Sequence, residues 1–146
     1  MEASSFGIPS LAIATEVNLE QQHASSYAQI DWETAGLVTH RMATHLLQQG
    51  LPAHTALLNI NVPRTATAHT ALRITTQSNQ NYYEESPPVR AEWATPYRFT
   101  SHIRVDLETL EPESDIYAFT VDRVIPVTPL GLNLTAYQAV KHWQWR

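Results

Sequence analysis

Leu57-Leu58-Asn59-Ile60-Asn61-Val62-Pro63 is the stretch on which the fold turns. Its short apolar run predicts a strand normally covered on both faces, and Pro63, with no N–H to offer a ladder, ends it. Upstream, Gly50 and Pro52 are stop signals for a helix that Asp31 opens as N-cap, with Glu33 in the first turn. Between these limits Ala35, Val38, Met42 and Leu46 recur at helical spacing, and Leu47 widens the stripe. Arg41, Thr44, His45 and Gln48 take the other side, so an amphipathic helix lying on a sheet is predicted.

Working outward, Ser10-Leu11-Ala12-Ile13-Ala14 follows Gly7 and Pro9 with almost no polar alternation, the pattern of a parallel strand covered on both faces. Polar residues 16–29 read as a loop. Strand, helix and strand in this order form a βαβ unit and argue for a parallel sheet. Ala71–Thr75 is a third strand candidate, and residues 77–97, rich in Gln, Asn, Tyr and Pro, form a long excursion. Phe99–Leu107 alternates as a strand, with Ile116–Thr120 as its expected hairpin partner across an acidic turn containing Glu111, Pro112 and Glu113. Val124–Val127 is a last strand, interrupted by Pro126. Thr135 and Gln138 fit a capping box opening a short helix whose Ala136, Val140 and Trp143 share a face.

Composition narrows the function. The 146 residues suffice for one domain with a single core, and 43% apolar with 16% charged residues is the balance of a globular chain. A net charge of −5, with nine scattered basic residues, leaves no electrostatic footprint for a nucleic-acid duplex. The absence of cysteine excludes disulfides, thiolate zinc sites and a cysteine nucleophile, and fits a cytoplasmic protein. Ile8–Thr15 lacks the preceding Lys or Arg and the length of a signal peptide, and no stretch reaches the roughly 20 apolar residues of a membrane span. The sequon Asn133-Leu134-Thr135 carries no meaning without secretion.

Candidate chemistry is sparse. His40 and His45 are five residues apart, about 140° around a helix, where a metal pair wants three or four. His23, His54, His69, His102 and His142 are isolated. Glu84-Glu85 sit in a polar loop, and Asp106, Glu108, Glu111, Glu113 and Asp115 read as a solvated hairpin. Neither a G-x-S-x-G elbow nor a P-loop occurs, and four glycines leave little for a phosphate cradle.

Four segments nevertheless carry a resemblance. Leu58-Asn59-Ile60-Asn61-Val62-Pro63 is similar to the L-N-(V/I)-N-x-P strand of the SurE family of 5'-nucleotidases, the stationary-phase survival proteins. Val127-Thr128-Pro129-Leu130 with Asn133-Leu134-Thr135-Ala136 resembles that family's closing S-(V/I)-T-P-L-x-x-(D/N)-x-T-A. Met1-Glu2 with Gly7-Ile8-Pro9 resembles A-M-E-G…G-x-P-(A/S)-I-A, and Asp115-Ile116-Tyr117-Ala118 resembles T-D-x-x-A. The four occur in the family's order across nearly the whole chain, with residues 77–110 matching loosely. Ala3 replaces a usual glycine and Ala14 a usual serine; Pro126 stands where Ser is common and Arg123 where Gly is frequent. These departures bear on substrate preference and loop geometry, not on the fold.

The resemblance implies an α/β, Rossmann-like three-layer sandwich, of which residues 1–146 are the C-terminal portion, with an extended β-hairpin and a C-terminal helix. It implies hydrolysis of nucleoside monophosphates with a divalent metal, Mg²⁺ or Mn²⁺. It further implies a homo-oligomer exchanging a hairpin and a C-terminal helix, matched to residues 97–120 and 135–145. The family's metal ligands are an Asp-Asp pair, a Ser and an Asn, and a Gly-Thr turn lies near the phosphate; all precede the position of Met1. Met1 matches a position inside a family helix, so the chain is expected to be a truncated piece, inactive alone. No catalytic, cofactor-binding or metal-binding residue is therefore assigned within it. The alternative is a non-catalytic assembly or interaction module of the same fold, using Tyr82, Tyr83, Trp93, Tyr97 and Phe99.

Overall fold

In the computed structural model the described residues are 1–18, 30–87, 89, 92, 94, 96 and 100–142. A one-turn helix α1 (Glu2–Ser5) leads into strand β1 (Ser10–Thr15), and helix α2 (Glu33–Gln49) connects it to β2 (Leu57–Val62). Then come β3 (Leu72–Ile74), β4 (Tyr83–Ser86), β5 (Thr100–Ile103), helix α3 (Asp115–Thr120), β6 (Ile125–Leu130) and helix α4 (Tyr137–His142).

The predicted βαβ unit is present. β1 pairs with β2 in parallel, Ile13 opposite Ile60 and Ala14 opposite Asn61. The N-cap is Trp32, one residue later than the expected Asp31, whose carboxylate still accepts the Glu33 N–H at 2.9 Å; Gly50 ends the helix at φ +73°, a backbone conformation that favours glycine. Ala35, Val38 and Met42 press on Leu58, Ile60, Val62, Ile125 and Val127, with Leu11 and Ile13 at the margin. Ile60 is fully buried, and truncating it to Ala would cost about 2–5 kcal/mol. Leu47, expected to widen the apolar stripe, is 88% exposed, since the helix turns it beyond the sheet.

Three expectations need correction. β1 is not covered on both faces: Leu11 and Ile13 pack toward the core under α2 and are partly buried, while Ala12 and Ala14 lie on the opposite face and are exposed; β1 is also an edge of the sheet order β1-β2-β6-β3. Residues 115–120 are a helix, not a strand. Ser114 Oγ accepts the Tyr117 N–H at 3.2 Å as N-cap, and β5 pairs with β4 in a separate two-stranded sheet. The last strand is not cut at Pro126 but runs from Ile125 to Leu130 in the middle of the sheet, antiparallel to β2 and parallel to β3.

Two prolines in a central strand need an account. Ile125 N–H bonds to Ala71 O and Val127 O accepts from Thr75 N–H, so the odd-numbered positions bond toward β3. Pro126 thus turns its nitrogen toward β2, past Ile60–Val127, where that ladder's register ends. Pro129 turns its nitrogen toward β3, past Ile74–Val127, where β3 ends. Neither proline removes a bond the sheet would make.

Candidate functional site

The parallel strands β1 and β2 end together, and the chain leaves them at Glu16 and Pro63. In open α/β sheets the carboxyl ends of parallel strands are where ligands bind. A cleft of about 530 Å³ opens there, on the sheet face opposite α2. Ala14 and Asn61 form its floor, Phe119 and Ile116 of α3 one wall, and Ser78 to Tyr82 another. A smaller depression of about 210 Å³ lies across Glu16, between Asp31, Thr34 and Arg64.

Its walls are fixed by local hydrogen bonds. Asp115 Oδ1 accepts the Ser78 N–H at 2.9 Å, and Asp115 N–H donates to Thr76 O at 2.8 Å. Glu111 accepts from Ser78 Oγ at 2.7 Å and from the Asn79 backbone and side-chain amides at 3.1 Å each. With Ser78 first among them, these donors hold the Glu111 carboxyl down to about 2. The excursion after β3 is thereby pinned to the turn before α3. Tyr82 meets Phe119 edge-on at 5.8 Å, and burial, aided by Tyr83 and Glu16, raises its phenol above the ordinary value.

Glu16 closes the end of β1. Its carboxylate accepts Arg64 N–H at 2.8 Å and is ion-paired with the Arg123 guanidinium, which also lies 5.5 Å from the Phe119 ring centre. Partial burial alone would raise the Glu16 carboxyl, but Arg123 and Arg64 outweigh it and hold it below the usual range. Arg123 sits at φ +54°, in the left-handed region, which explains why glycine suits this position.

The sequence profile of the family described as Survival protein SurE matches residues 1–84. The chain belongs to the SurE family. It is 33% identical over 139 residues to the 5'-nucleotidase SurE of Thermococcus gammatolerans, covering 93% of this chain and 50% of that one. It is 32% identical to the 5'-nucleotidase SurE of Thermococcus kodakarensis, covering 93% of this chain and 51% of that one. The crystal structure of the SurE protein from Aquifex aeolicus superposes with a TM-score of 0.64 at 23% identity, over 96% of this chain and 52% of that one. That likeness supports the Rossmann-like α/β fold. The chain spans about half the length of the SurE relatives it matches.

The SurE motif residues come together in part. Asn61 and Ala14 are neighbours on the cleft floor, Asp115 stands at its wall, and Thr128, opposite Asn59, is buried in the sheet. The histidines do not gather: His40 and His45 are exposed on α2 but five residues apart, His54, His69 and His142 are exposed elsewhere, and His102 bonds Glu84 at 3.1 Å. His23, Trp93, Tyr97 and Phe99 lie outside the described residues, as does Trp143. Among the described residues, no three His, Asp or Glu side chains converge on a metal position. Glu16 is committed to Arg123 and Asp115 to backbone amides, so this donor set does not fit the several oxygens a hard cation takes. Sequence reading passed over Glu16 and Phe119, because the first stood alone in a polar loop and the second inside a misread strand.

Proposed function

We propose that this chain is the C-terminal part of a metal-dependent, cytoplasmic 5'-nucleotidase that hydrolyses nucleoside monophosphates, and that it is inactive by itself. The observation that carries this is the match of 93% of the chain to only half of relatives named 5'-nucleotidase SurE. The unclosed side of the fold supports it. β1 is an edge of a mixed sheet with Ala12 and Ala14 exposed, and nearby Phe6 is 75% and Ile8 56% exposed. Parallel strands normally lie inside a sheet, with both faces covered. In this reading an N-terminal half would supply the metal ligands, a bound divalent metal would contribute Lewis-acid chemistry there, and the present chain supplies the adjoining cleft. Assembly into a homo-oligomer belongs to the same reading, because the isolated two-stranded sheet β4–β5 is too small to be stable without further packing. Among the described residues, no helix is long and apolar enough to cross a membrane.

The test is to join the N-terminal half of a Thermococcus SurE relative ahead of Met1. Melting temperature and hydrolysis of nucleoside monophosphates are then compared with those of the 146-residue chain. The lengthened protein is expected to melt higher and to hydrolyse with Mn²⁺ or Mg²⁺ but not with chelator. Chelator-sensitive hydrolysis by the 146-residue chain alone, or none by the lengthened one, would refute the proposal.

A further inference from the structure

The cleft over Asn61 has a chemistry that separates the two ends of a nucleotide. Among the described residues lining it there is no Lys, Arg or His. Arg123, beside the cleft residues Glu16 and Phe119, is already paired with Glu16, and Arg104 with Glu84. Two carboxylates, Glu16 and Asp115, line the cleft, and negative charge at that range opposes a phosphate dianion. As a phosphate pocket it is wrongly charged.

For an uncharged, hydroxylated, planar group it is well furnished. Tyr82 and Phe119 form an aromatic wall, their rings meeting edge-on at 5.8 Å. The amide side chains of Asn61, Gln77 and Asn81 line the same space, and the described residues offer them no side-chain hydrogen bond. Each amide carries both donor and acceptor, the pairing that base edges and ribose hydroxyls require. Asn61 is the central one, half-buried on the floor beside Ala14, with its amide open to the cleft and available to a ligand. The volume of about 530 Å³ falls within the range of small-molecule sites.

We infer that this cleft is the nucleoside subsite: it takes the base and ribose of the substrate, without help from phosphate or metal, and leaves the phosphate outside toward the rest of the fold. The inference rests on the nucleotidase reading but names a part of the site that the present chain holds by itself. Asn61 is its specificity-determining residue and Phe119 its stacking wall.

The 146-residue chain, in chelator, is titrated with adenosine, guanosine, their 5'-monophosphates, ribose 5-phosphate and inorganic phosphate, followed by calorimetry or NMR. At least one nucleoside should bind saturably, its monophosphate no more than about threefold tighter, and inorganic phosphate and ribose 5-phosphate should not displace it. Asn61→Ala should weaken nucleoside binding by about tenfold, with an unchanged circular dichroism spectrum. Phe119→Leu, which keeps apolar volume in the wall, should weaken it similarly. If the short chain is unfolded at the working temperature, the lengthened protein is titrated in chelator instead. No nucleoside binding to folded protein, displacement by phosphate alone, or an Asn61→Ala variant with unaltered affinity overturns the subsite. Hydrolysis by the lengthened protein without nucleoside binding here would remove the subsite and leave the nucleotidase reading standing. Nucleoside binding without hydrolysis would do the reverse.

Discussion

Arg123 reaches back across 107 positions of sequence to pair with Glu16, tying the turn before β6 to the carboxyl end of β1. The pair is partly buried, with side chains 36% and 22% exposed, and it is made by a residue whose own backbone is strained. A left-handed conformation costs a non-glycine residue about 1–2 kcal/mol, so the ion pair, the bond to Phe119 O at 3.3 Å and the stacking over the Phe119 ring offset a cost that glycine would not incur.

That balance can be separated by two substitutions. Arg123→Ala loses the pair and keeps the strain, whereas Arg123→Gly loses the pair and relieves it. In chemical denaturation the Ala variant should be less stable than the Gly variant by about 1 kcal/mol. Equal stabilities would show that the backbone at this turn carries no such cost.

Acid should loosen the wall of the cleft through Glu111. Its carboxyl lies at about 2 when folded, against an ordinary 4.5 when unfolded. A folded value below the unfolded one means that its contribution is complete above about 4.5 and is lost as pH falls toward about 2. Glu111→Gln should lower stability at neutral pH and flatten the acid limb of a stability profile. Glu16 is depressed in the same direction, so part of that limb should survive. An unchanged acid limb would contradict the hydrogen-bonded arrangement with Ser78 and Asn79.

Thr75 and Thr128 share a hydrogen bond of 2.9 Å inside the sheet, at 6% and 2% exposure. Thr128→Val would strand the Thr75 hydroxyl and should cost about 1–3 kcal/mol in thermal or denaturant unfolding. The double variant with Thr75→Val removes both polar groups and should regain most of the loss. A double variant as unstable as the sum of the singles would mean that the two hydroxyls are not coupled.

Assembly is tested on β5, where Ile103 is 50% exposed. Ile103→Glu should leave the fold intact, because little apolar area is lost within one chain, yet shift the elution profile toward monomer. A wild-type chain that elutes as monomer across micromolar concentrations would exclude assembly through this sheet.

Local chemistry was strong enough to determine the βαβ unit from the sequence alone. Asp31, Glu33, Gly50 and Pro52 act within one or two turns of the helix they delimit, and the stripe Ala35, Val38, Met42 reports its buried face directly. The SurE motifs likewise marked Asn61, Asp115 and Thr128 before their positions in space were known. Residues 116–120 escaped because a run of five dominated by Ile116, Tyr117, Phe119 and Thr120 fits either period, and the deciding signal was a single cap, Ser114. The path of β6 through Pro126 and Pro129 was equally hidden, since a proline is tolerated or not according to which neighbour its nitrogen faces and where that neighbour ends. Tertiary structure alone joined Glu16 to Arg123 and set Asn61, Tyr82 and Phe119 around one cleft. Those contacts lie far apart along the chain, and no short-range preference encodes them; they exist because the sheet brings the ends of β1 and β2 under α3.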